Sequence, residues 1–240
     1  MSLAGKRILV TGGSSGIGLA VARALAVDEG ADVTIAGRSR TRLLAAKAAV
    51  ARGVSTYELD VTDESAISQM FAQRQPFDHV VTAAASVVMA PALEMPTSAF
   101  RALVESKLYG QFLVARHAAP HLPPDGSITL FSGTVTQKPM AGATAYAAVG
   151  AAAEAMARVM ALELAPRRVN SVVPGVIDTP AWDALFDAET KTSVLGQIAS
   201  SLPVGRIGTT NDVAQAVIFL MRNSFVNGIA LVVDGGHRLI

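Results

Sequence analysis

Short apolar runs alternate along this chain with longer stretches in which apolar residues recur at helical spacing. A short continuous apolar run is typical of a buried strand in a parallel sheet, whereas apolar residues at i, i+3, i+4 and i+7 indicate a helix. The runs predict strands at 7–11, 32–36, 54–59, 79–83, 127–131, 169–173 and 229–233. Helical spacing predicts helices at 16–29, 40–51, 63–73, 97–119, 143–164, 181–199 and 210–222.

Alternation of strands and helices predicts an α/β fold, a doubly wound parallel sheet in three α/β/α layers. No linker, repeat or low-complexity segment interrupts the pattern, so residues 1–240 are expected to form a single domain. Ligands of such sheets bind beyond the carboxyl ends of the strands. Candidate functional residues are therefore those that directly follow each strand.

The junction between the first strand and the first helix carries glycines in the order G-x-x-x-G-x-G. Glycine lets the backbone turn sharply and approach a ligand, and the N–H groups of a helix N-terminus favour an anion. A plain strand-to-helix turn is the alternative interpretation of these glycines taken alone. As a seat for a dinucleotide pyrophosphate, the turn comprises Gly12, Ser14, Ser15, Gly16, Ile17 and Gly18.

Arg38 and Asp60 follow the second and third strands. An acid after the second strand would bind a ribose 2′-hydroxyl, whereas an arginine accommodates a 2′-phosphate, so Arg38 favours NADP over NAD. The alternative for Arg38, which begins a cluster with Arg40 and Arg42, is a solvated basic helix start. Asp60 is a candidate acceptor for an adenine amino group, and either Thr62 or Asp63 is expected to be the N-cap of the next helix.

A turn at Pro174-Gly175 ends the sixth strand, and Val176-Ile177-Asp178-Thr179 follows. Proline and glycine together force the chain to turn at this point. The backbone of Ile177 and the hydroxyl of Thr179 are then placed to hold a polar amide.

Composition narrows the class of protein without identifying a reaction. Apolar residues make up 51% of the 240 residues and charged ones 16%, and the net charge of +1 argues against nucleic-acid binding. The chain has no cysteine, and Pro120 interrupts the pair His117 and His121, so no metal site is expected. The N-terminus shows no signal core and no apolar run reaches membrane-spanning length. We expect a cytoplasmic protein that does not enter a membrane.

Five motifs in order make the chain resemble the short-chain dehydrogenase/reductase family over essentially its whole length. They are T-G-x-x-x-G-x-G at 11–18, Asp60-Val61, Tyr146, Pro174-Gly175 with Thr179, and Val232-Val233-Asp234-Gly235-Gly236. The resemblance implies a Rossmann fold, a nicotinamide cofactor, and hydride transfer to or from a small carbonyl or alcohol substrate. It also implies that the segment from Pro174 to Thr179 holds the nicotinamide carboxamide, and that the chain forms a homodimer or homotetramer.

The catalytic set departs from the family pattern. The family places a lysine four residues after the tyrosine, where this chain has Gly150, and a serine thirteen residues before it, where this chain has Gly133. Ser132 is one residue further upstream, and a one-residue insertion in the loop 133–145 would restore it as the donor that polarises the substrate carbonyl. The alternative for Ser132 is a turn serine. Without the lysine, the Tyr146 phenol stays neutral at pH 7, which suits an acid in reduction better than a base in oxidation.

Two further family positions differ. The family's Asn-Asn-Ala-Gly after the fourth strand is Thr82-Ala83-Ala84-Ala85 here, and the family's helix asparagine is Lys107. Lys107 falls within an apolar helix stripe, where a lysine is seldom left unpaired. That stripe is formed by Phe100, Leu103, Val104, Leu108 and Val114. Our hypothesis is that Lys107 supplies the missing cation to the Tyr146 phenol or the nicotinamide ribose; a snorkelling or interface lysine is the alternative.

The sequence therefore predicts an NADP-dependent oxidoreductase with Tyr146 as general acid, Ser132 as polarising donor and Lys107 as a relocated cation. Trp182, Leu185 and Phe186 follow the amide-binding turn and suggest an apolar substrate, although they also suit a plain lid contact. The alternative function is that of a dinucleotide-binding protein with little or no catalysis, acting as a sensor or a structural subunit. Such a protein would also have intact cofactor motifs beside an altered catalytic set.

Overall fold

A single parallel sheet organises the computed structural model, which describes residues 1–50, 53–84 and 88–240. The described chain contributes seven strands to it, in the order β3-β2-β1-β4-β5-β6-β7, with every neighbouring pair parallel. The strands are β1 (Arg7–Thr11), β2 (Asp32–Gly37), β3 (Val54–Glu58), β4 (His79–Thr82), β5 (Ser127–Phe131), β6 (Arg168–Pro174) and β7 (Ala230–Val233). This is the doubly wound α/β fold predicted from the sequence.

Helices cover both faces of the sheet. They are α1 (Gly16–Arg23), α2 (Arg40–Val50), α3 (Glu64–Gln73), α4 (Thr97–Leu103), α5 (Gly110–Ala118), α6 (Thr144–Glu163), α7 (Ala188–Ser201) and α8 (Thr210–Arg222). A π-helical turn, Ala24–Asp28, extends α1, and a second π-helical segment, Val104–Tyr109, joins α4 to α5.

The predicted elements agree with the observed ones in type, with one exception. The helix predicted at 181–199 was wrong at its start, because Pro180–Ala184 forms a separate short 3₁₀ helix and α7 begins only at Ala188. The Asp187 side chain accepts a hydrogen bond from the Thr190 backbone N–H and so caps a new helix at that point. The predicted end of the second helix, Ala51, lies outside the described residues.

The β1 side chains show why the sheet is buried on both faces. Ile8 and Val10 belong to the apolar core that α1 and α8 cover, whereas Leu9 points into the opposite core with α3 and α5. Strand β1 lies between β2 and β4, so the chain changes direction across the sheet at this strand. The crevice beyond the carboxyl ends of β1 and β4 is therefore the expected ligand site.

Contrary to the expectation that no apolar run reaches membrane-spanning length, helix α6 is long and apolar enough to span a membrane by length and composition alone. Such a test is also passed by core helices of globular proteins, and α6 packs against β5 and β6 through buried residues that include Ala153 and Ala157. The observation is thus weak evidence for a membrane span.

Candidate active site

The glycine turn after β1 is closely packed where the sequence has glycine. Gly12 has φ +72°, and a β-carbon there would lie 2.5 Å from the backbone nitrogen of Ala84. A β-carbon on Gly18 would lie 2.3 Å from the carbonyl oxygen of Gly12. Both positions exclude any side chain, so the turn folds tightly against the ends of β1 and β4.

Gly16 opens the N-terminus of α1 towards a cleft. Its φ is +53°, and a β-carbon would meet only Thr179 and Pro180, at 3.8 Å or more. The Ser15 side chain makes no capping bond to the helix, and the first turn carries no acidic residue. The first N–H groups of α1 and the positive end of its dipole are therefore available to an anion.

That cleft has a volume of about 690 Å³. The cofactor residues predicted from the sequence meet along its wall: Gly12, Ser14, Ser15, Gly16, Ile17, Gly18, Arg38, Asp60 and Thr179. Arg42 also lines it, and its Nη2 donates to Ser15 Oγ at 2.9 Å. Arg40, the third arginine of the predicted cluster, is not among the described residues that line the cleft.

Asp60 also lines this cleft. Its Oδ1 accepts hydrogen bonds from the backbone N–H of Thr62 at 3.0 Å and from the Thr62 hydroxyl at 2.9 Å. Asp63, and not Thr62, is the N-cap of α3, since its carboxylate accepts the Ala66 N–H. The turn thus holds the Asp60 carboxylate rigidly at the cleft.

A second cavity, of about 450 Å³ and largely apolar, continues from the first. Ile17, Tyr146 and Thr179 line both, so the two form one site. Pro174, Gly175 and Ile177 join Thr179 in its wall, which brings the predicted amide-binding turn beside Tyr146.

The turn after β6 is held in place by two contacts. The ends of strands β6 and β7 meet at Gly175, and a β-carbon there would lie 2.7 Å from the Asp234 Cα. This position therefore needs glycine. The Ile177 carbonyl accepts the Trp182 indole Nε1–H at 2.9 Å. That bond fixes Trp182 and the short helix it belongs to over the cavity.

Tyr146 lies in the first turn of α6 and packs against the cluster of Leu103, Ala145 and Val149. Burial raises the pKa of its phenol to about 12, and a backbone hydrogen bond at Val88 opposes the rise. The phenol is therefore neutral, and able to donate a proton, throughout the physiological range.

Lys107 reaches the same cavity from the π-helical segment Val104–Tyr109. The residue is 6% exposed. Its Nζ donates to the Ser132 carbonyl oxygen at 3.4 Å and lies 5.8 Å from the centroid of the Tyr146 ring. Burial lowers the pKa of the ammonium to about 8, so most of it is charged at pH 7. The structure thus brings Lys107 and Tyr146 together.

The apolar stripe predicted around Lys107 divides at the π-helical segment. Phe100, Val104 and Leu108 pack with Tyr146, as the stripe predicts, but Val114 packs into the separate core beneath α3. A π-helical turn contains an extra residue, which rotates everything beyond it relative to ordinary helical spacing. Including Val114 in the stripe was therefore wrong.

Ser132 faces α6 with its hydroxyl. Its Oγ donates to Glu154 Oε1 at 2.6 Å, and the Thr136 hydroxyl donates to the same oxygen at 2.8 Å. A β-carbon on Gly150 would lie 2.9 Å from Ser132 Oγ and 2.8 Å from the Thr136 methyl carbon. The absence of a side chain at position 150 makes room for the hydrogen-bonded cluster of Ser132, Thr136 and Glu154.

Sequence reasoning missed Glu154. The available signal was its spacing, because Tyr146, Gly150 and Glu154 are i, i+4 and i+8 on one face of α6. The polarising role assigned to Ser132 remains a prediction, since its hydroxyl is bonded to Glu154 in this arrangement.

At the end of β4, Thr82 donates through Oγ1 to Gln111 Oε1 at 2.7 Å. Ala83 and Ala84 line the site with apolar surface, whereas Ala85 lies outside the described residues.

In the described ranges no three histidine or acidic side chains meet as a metal site requires, and His117 Nε2 instead lies 2.9 Å from Glu64 Oε1.

Comparison with known proteins places this geometry in a family. A family model described as enoyl-(acyl carrier protein) reductase matches residues 12–238. The chain is 33% identical to L-fucose dehydrogenase of Mus musculus, covering 98% of this chain and 89% of that one. It is 30% identical to L-xylulose reductase of Bos taurus, covering 98% of both. A small-chain dehydrogenase solved in complex with NADPH superposes with a TM-score of 0.85 at 30% identity, covering 98% of this chain and 100% of that one.

The fold and the glycine turn are those of a Rossmann-type protein, and the relatives that match over nearly the whole chain include a dehydrogenase and a reductase. The chain belongs to the short-chain dehydrogenase/reductase family.

Proposed function

We propose that this protein is an NADP(H)-dependent reductase of a small carbonyl compound, in which Lys107 takes over the charge normally supplied from position 150. The observation that carries the proposal is the buried Lys107 ammonium, 5.8 Å from the Tyr146 ring centroid in the cavity that the phenol also lines. A buried lysine held at a tyrosine is costly for a structural role and useful for a catalytic one.

The glycine turn and the clefts fit a nicotinamide dinucleotide. Gly12, Gly16 and the N-terminus of α1 form a cradle without side chains, which suits a pyrophosphate. Arg38 and Arg42 at the wall of that cleft would hold a 2′-phosphate, and Asp60 would face the adenine. When bound, NADPH supplies the hydride.

The protein's own residues supply the proton that the reduced carbonyl oxygen accepts. Tyr146, protonated below a pKa of about 12, donates its phenol proton to the oxygen of the reduced carbonyl. The phenolate left behind is stabilised by the Lys107 ammonium, whose charge acts strongly in an apolar, water-poor cavity. Because the phenol stays protonated at neutral pH, it suits the role of acid in carbonyl reduction better than the role of base in alcohol oxidation.

Ser132 is proposed as the donor to the substrate carbonyl oxygen. For this, its hydroxyl must rotate away from Glu154, which still retains the Thr136 hydroxyl as a donor. The backbone of Ser132 has a second role in either position, since its carbonyl oxygen accepts from Lys107.

A second candidate function is dinucleotide binding with little or no catalysis, as a sensor or structural subunit. Gly150 and Gly133 at two family catalytic positions, together with the Ser132–Glu154 bond, favour it. The two functions differ in turnover and not in cofactor binding.

The test is NADPH consumption with a panel of aldehydes, ketones and quinones, alongside NADPH fluorescence to measure binding. We expect binding, turnover of at least one carbonyl class, and a loss of about 10²-fold or more in kcat for Tyr146→Phe, because the phenol proton is essential. Binding without turnover on the whole panel would establish the second candidate instead.

We further propose a cytoplasmic homodimer or homotetramer that uses the outer face of α6 and the end of the π-helical segment Val104–Tyr109. Leu162 is 81% exposed on α6, and Val159 and Tyr109 are also exposed. Light scattering of the wild type and of Leu162→Asp tests this, and a monomeric wild type would contradict it.

A further inference from the structure

The apolar cavity beside Tyr146 has an uneven set of charges. Among the described residues that line it are two lysines, Lys107 and Lys138, and neither an aspartate nor a glutamate. Apolar walls focus the field of the charges they enclose, so a cavity of this kind attracts an anion. Lys107 is engaged at Tyr146 and Ser132, which leaves Lys138 as the cation for the remainder of a substrate.

Lys138 has no carboxylate partner within ion-pair distance in the part of the chain that the structure describes. Its half-buried Nζ donates to the His237 carbonyl oxygen at 3.0 Å, which ties the C-terminal turn to the cavity wall. By contrast, Lys191 on α7 is paired with both Asp178 and Asp183. The charge of Lys138 is thus held in place but not neutralised.

The neighbouring titratable groups leave that charge intact. His237 lines the cavity too, and burial and the Lys138 charge lower its pKa, so it is neutral at pH 7. Asp234, the carboxylate that acts on His237, accepts the backbone N–H groups of Gly236 and Arg238.

The other walls match a hydrocarbon body. Val135, Met140, Trp182, Leu185 and Ile198 line the same cavity as the two lysines. Trp182 is held by its bond to the Ile177 carbonyl, so this wall is a fixed surface.

We propose that the substrate is an apolar carbonyl compound that carries a carboxylate, and that Lys138 binds this carboxylate while the carbonyl lies at Tyr146. The proposal rests on the proposed function for the reacting end of the molecule. Binding of the substrate carboxylate by Lys138 does not depend on turnover, so binding measurements alone test it.

Trp182 is the one tryptophan in the 240-residue sequence, so indole fluorescence reports entry into this cavity. The protein saturated with NADP⁺ is titrated with octanoate and with octanol, which share a chain and differ in charge. We expect octanoate to bind about tenfold more tightly than octanol, as for one partly desolvated ion pair. Lys138→Met removes the difference, Lys138→Arg keeps it, and the exposed control Lys47→Met leaves it unchanged.

Equal affinity of the two probes in the wild type would overturn the proposal. So would a preference for octanoate that survives in Lys138→Met, or one that is lost only in Lys107→Met. If the octanoate preference depends on Lys138 but no carbonyl compound is reduced, the anion site stands and the reductase function fails.

Discussion

At the scale of single residues, burial shifts the pKa values of Lys107 and Tyr146 in opposite directions. Burial favours the neutral form of both groups, raising the pKa of the phenol to about 12 and lowering that of the ammonium to about 8. A negative charge that develops on the phenol is thus expensive unless Lys107 is charged beside it. In the proposed function the two residues act together, and Lys107 supplies the charge that Gly150 cannot.

Gly150 packs directly against the side chains of Ser132 and Thr136, which leave little space for a β-carbon. We expect Gly150→Ala to destabilise the fold by about 1–2 kcal/mol, since overpacking against Ser132 and Thr136 outweighs the gain in helix propensity. Gly196 on α7 is the matched control, because nothing lies within 4 Å of a β-carbon there. Urea unfolding should show Gly196→Ala stabilised by up to about 1 kcal/mol. Equal gains at both positions would contradict the packing described at Gly150.

At the scale of elements, the positions of strands and helices were predictable because they depend on local apolar periodicity. The π-helical segment Val104–Tyr109 was not, since it keeps the composition of a helix and differs only in its turn. Its consequence is nevertheless large, because the added residue separates Lys107 and Leu108 on the site side from Val114 in the core. The helix break at Asp187 was visible as a capping residue but was outweighed by the surrounding apolar spacing.

In the proposed function, Arg38 in the turn after β2 determines the preference for NADP(H) over NAD(H). We expect Arg38→Ala to raise the KM for NADPH about 10–100-fold while changing the KM for NADH little, because only NADPH carries a 2′-phosphate. Arg40→Ala is the control, since Arg40 does not line the cleft among the described residues. Steady-state kinetics with both cofactors measure the difference. A similar loss for NADPH and NADH would mean that Arg38 does not contact the phosphate.

At the scale of the whole molecule, the layered fold and the location of the site at the carboxyl edge of the sheet followed from the sequence. The arrangement of side chains within the site followed only in part. Lys107 was found because a lysine in an apolar stripe is anomalous, whereas Glu154 resembles any polar position on α6. Its bonds to Ser132 and Thr136 depend on how the loop after β5 packs, which no local pattern encodes.

The buried His79 gives the molecule a pH-dependent stability. Burial lowers its pKa from 6.5 to about 4, and its Nδ1 lies 2.8 Å from Ser127 Oγ. The unfolded chain binds the proton more readily, so the free energy of unfolding falls as the pH drops from about 6.5 to 4 and is unaffected above that range. The loss from this group is on the order of 3 kcal/mol at the acid end. Urea midpoints across this range should fall less steeply for His79→Asn, and parallel curves would contradict the account.

The central claim, that the Lys107 ammonium assists proton donation by Tyr146, is tested most directly by the pH dependence of kcat for carbonyl reduction. Below a pKa of about 8 Lys107 is charged, so wild-type kcat should be level there and fall as the pH rises through 8. Lys107→Arg should remain active beyond that pH, because the guanidinium stays charged. Lys107→Met should be slower by about 10²-fold at neutral pH while binding NADPH with nearly unchanged affinity. A Lys107→Met enzyme with wild-type kcat and the same pH profile would contradict the account.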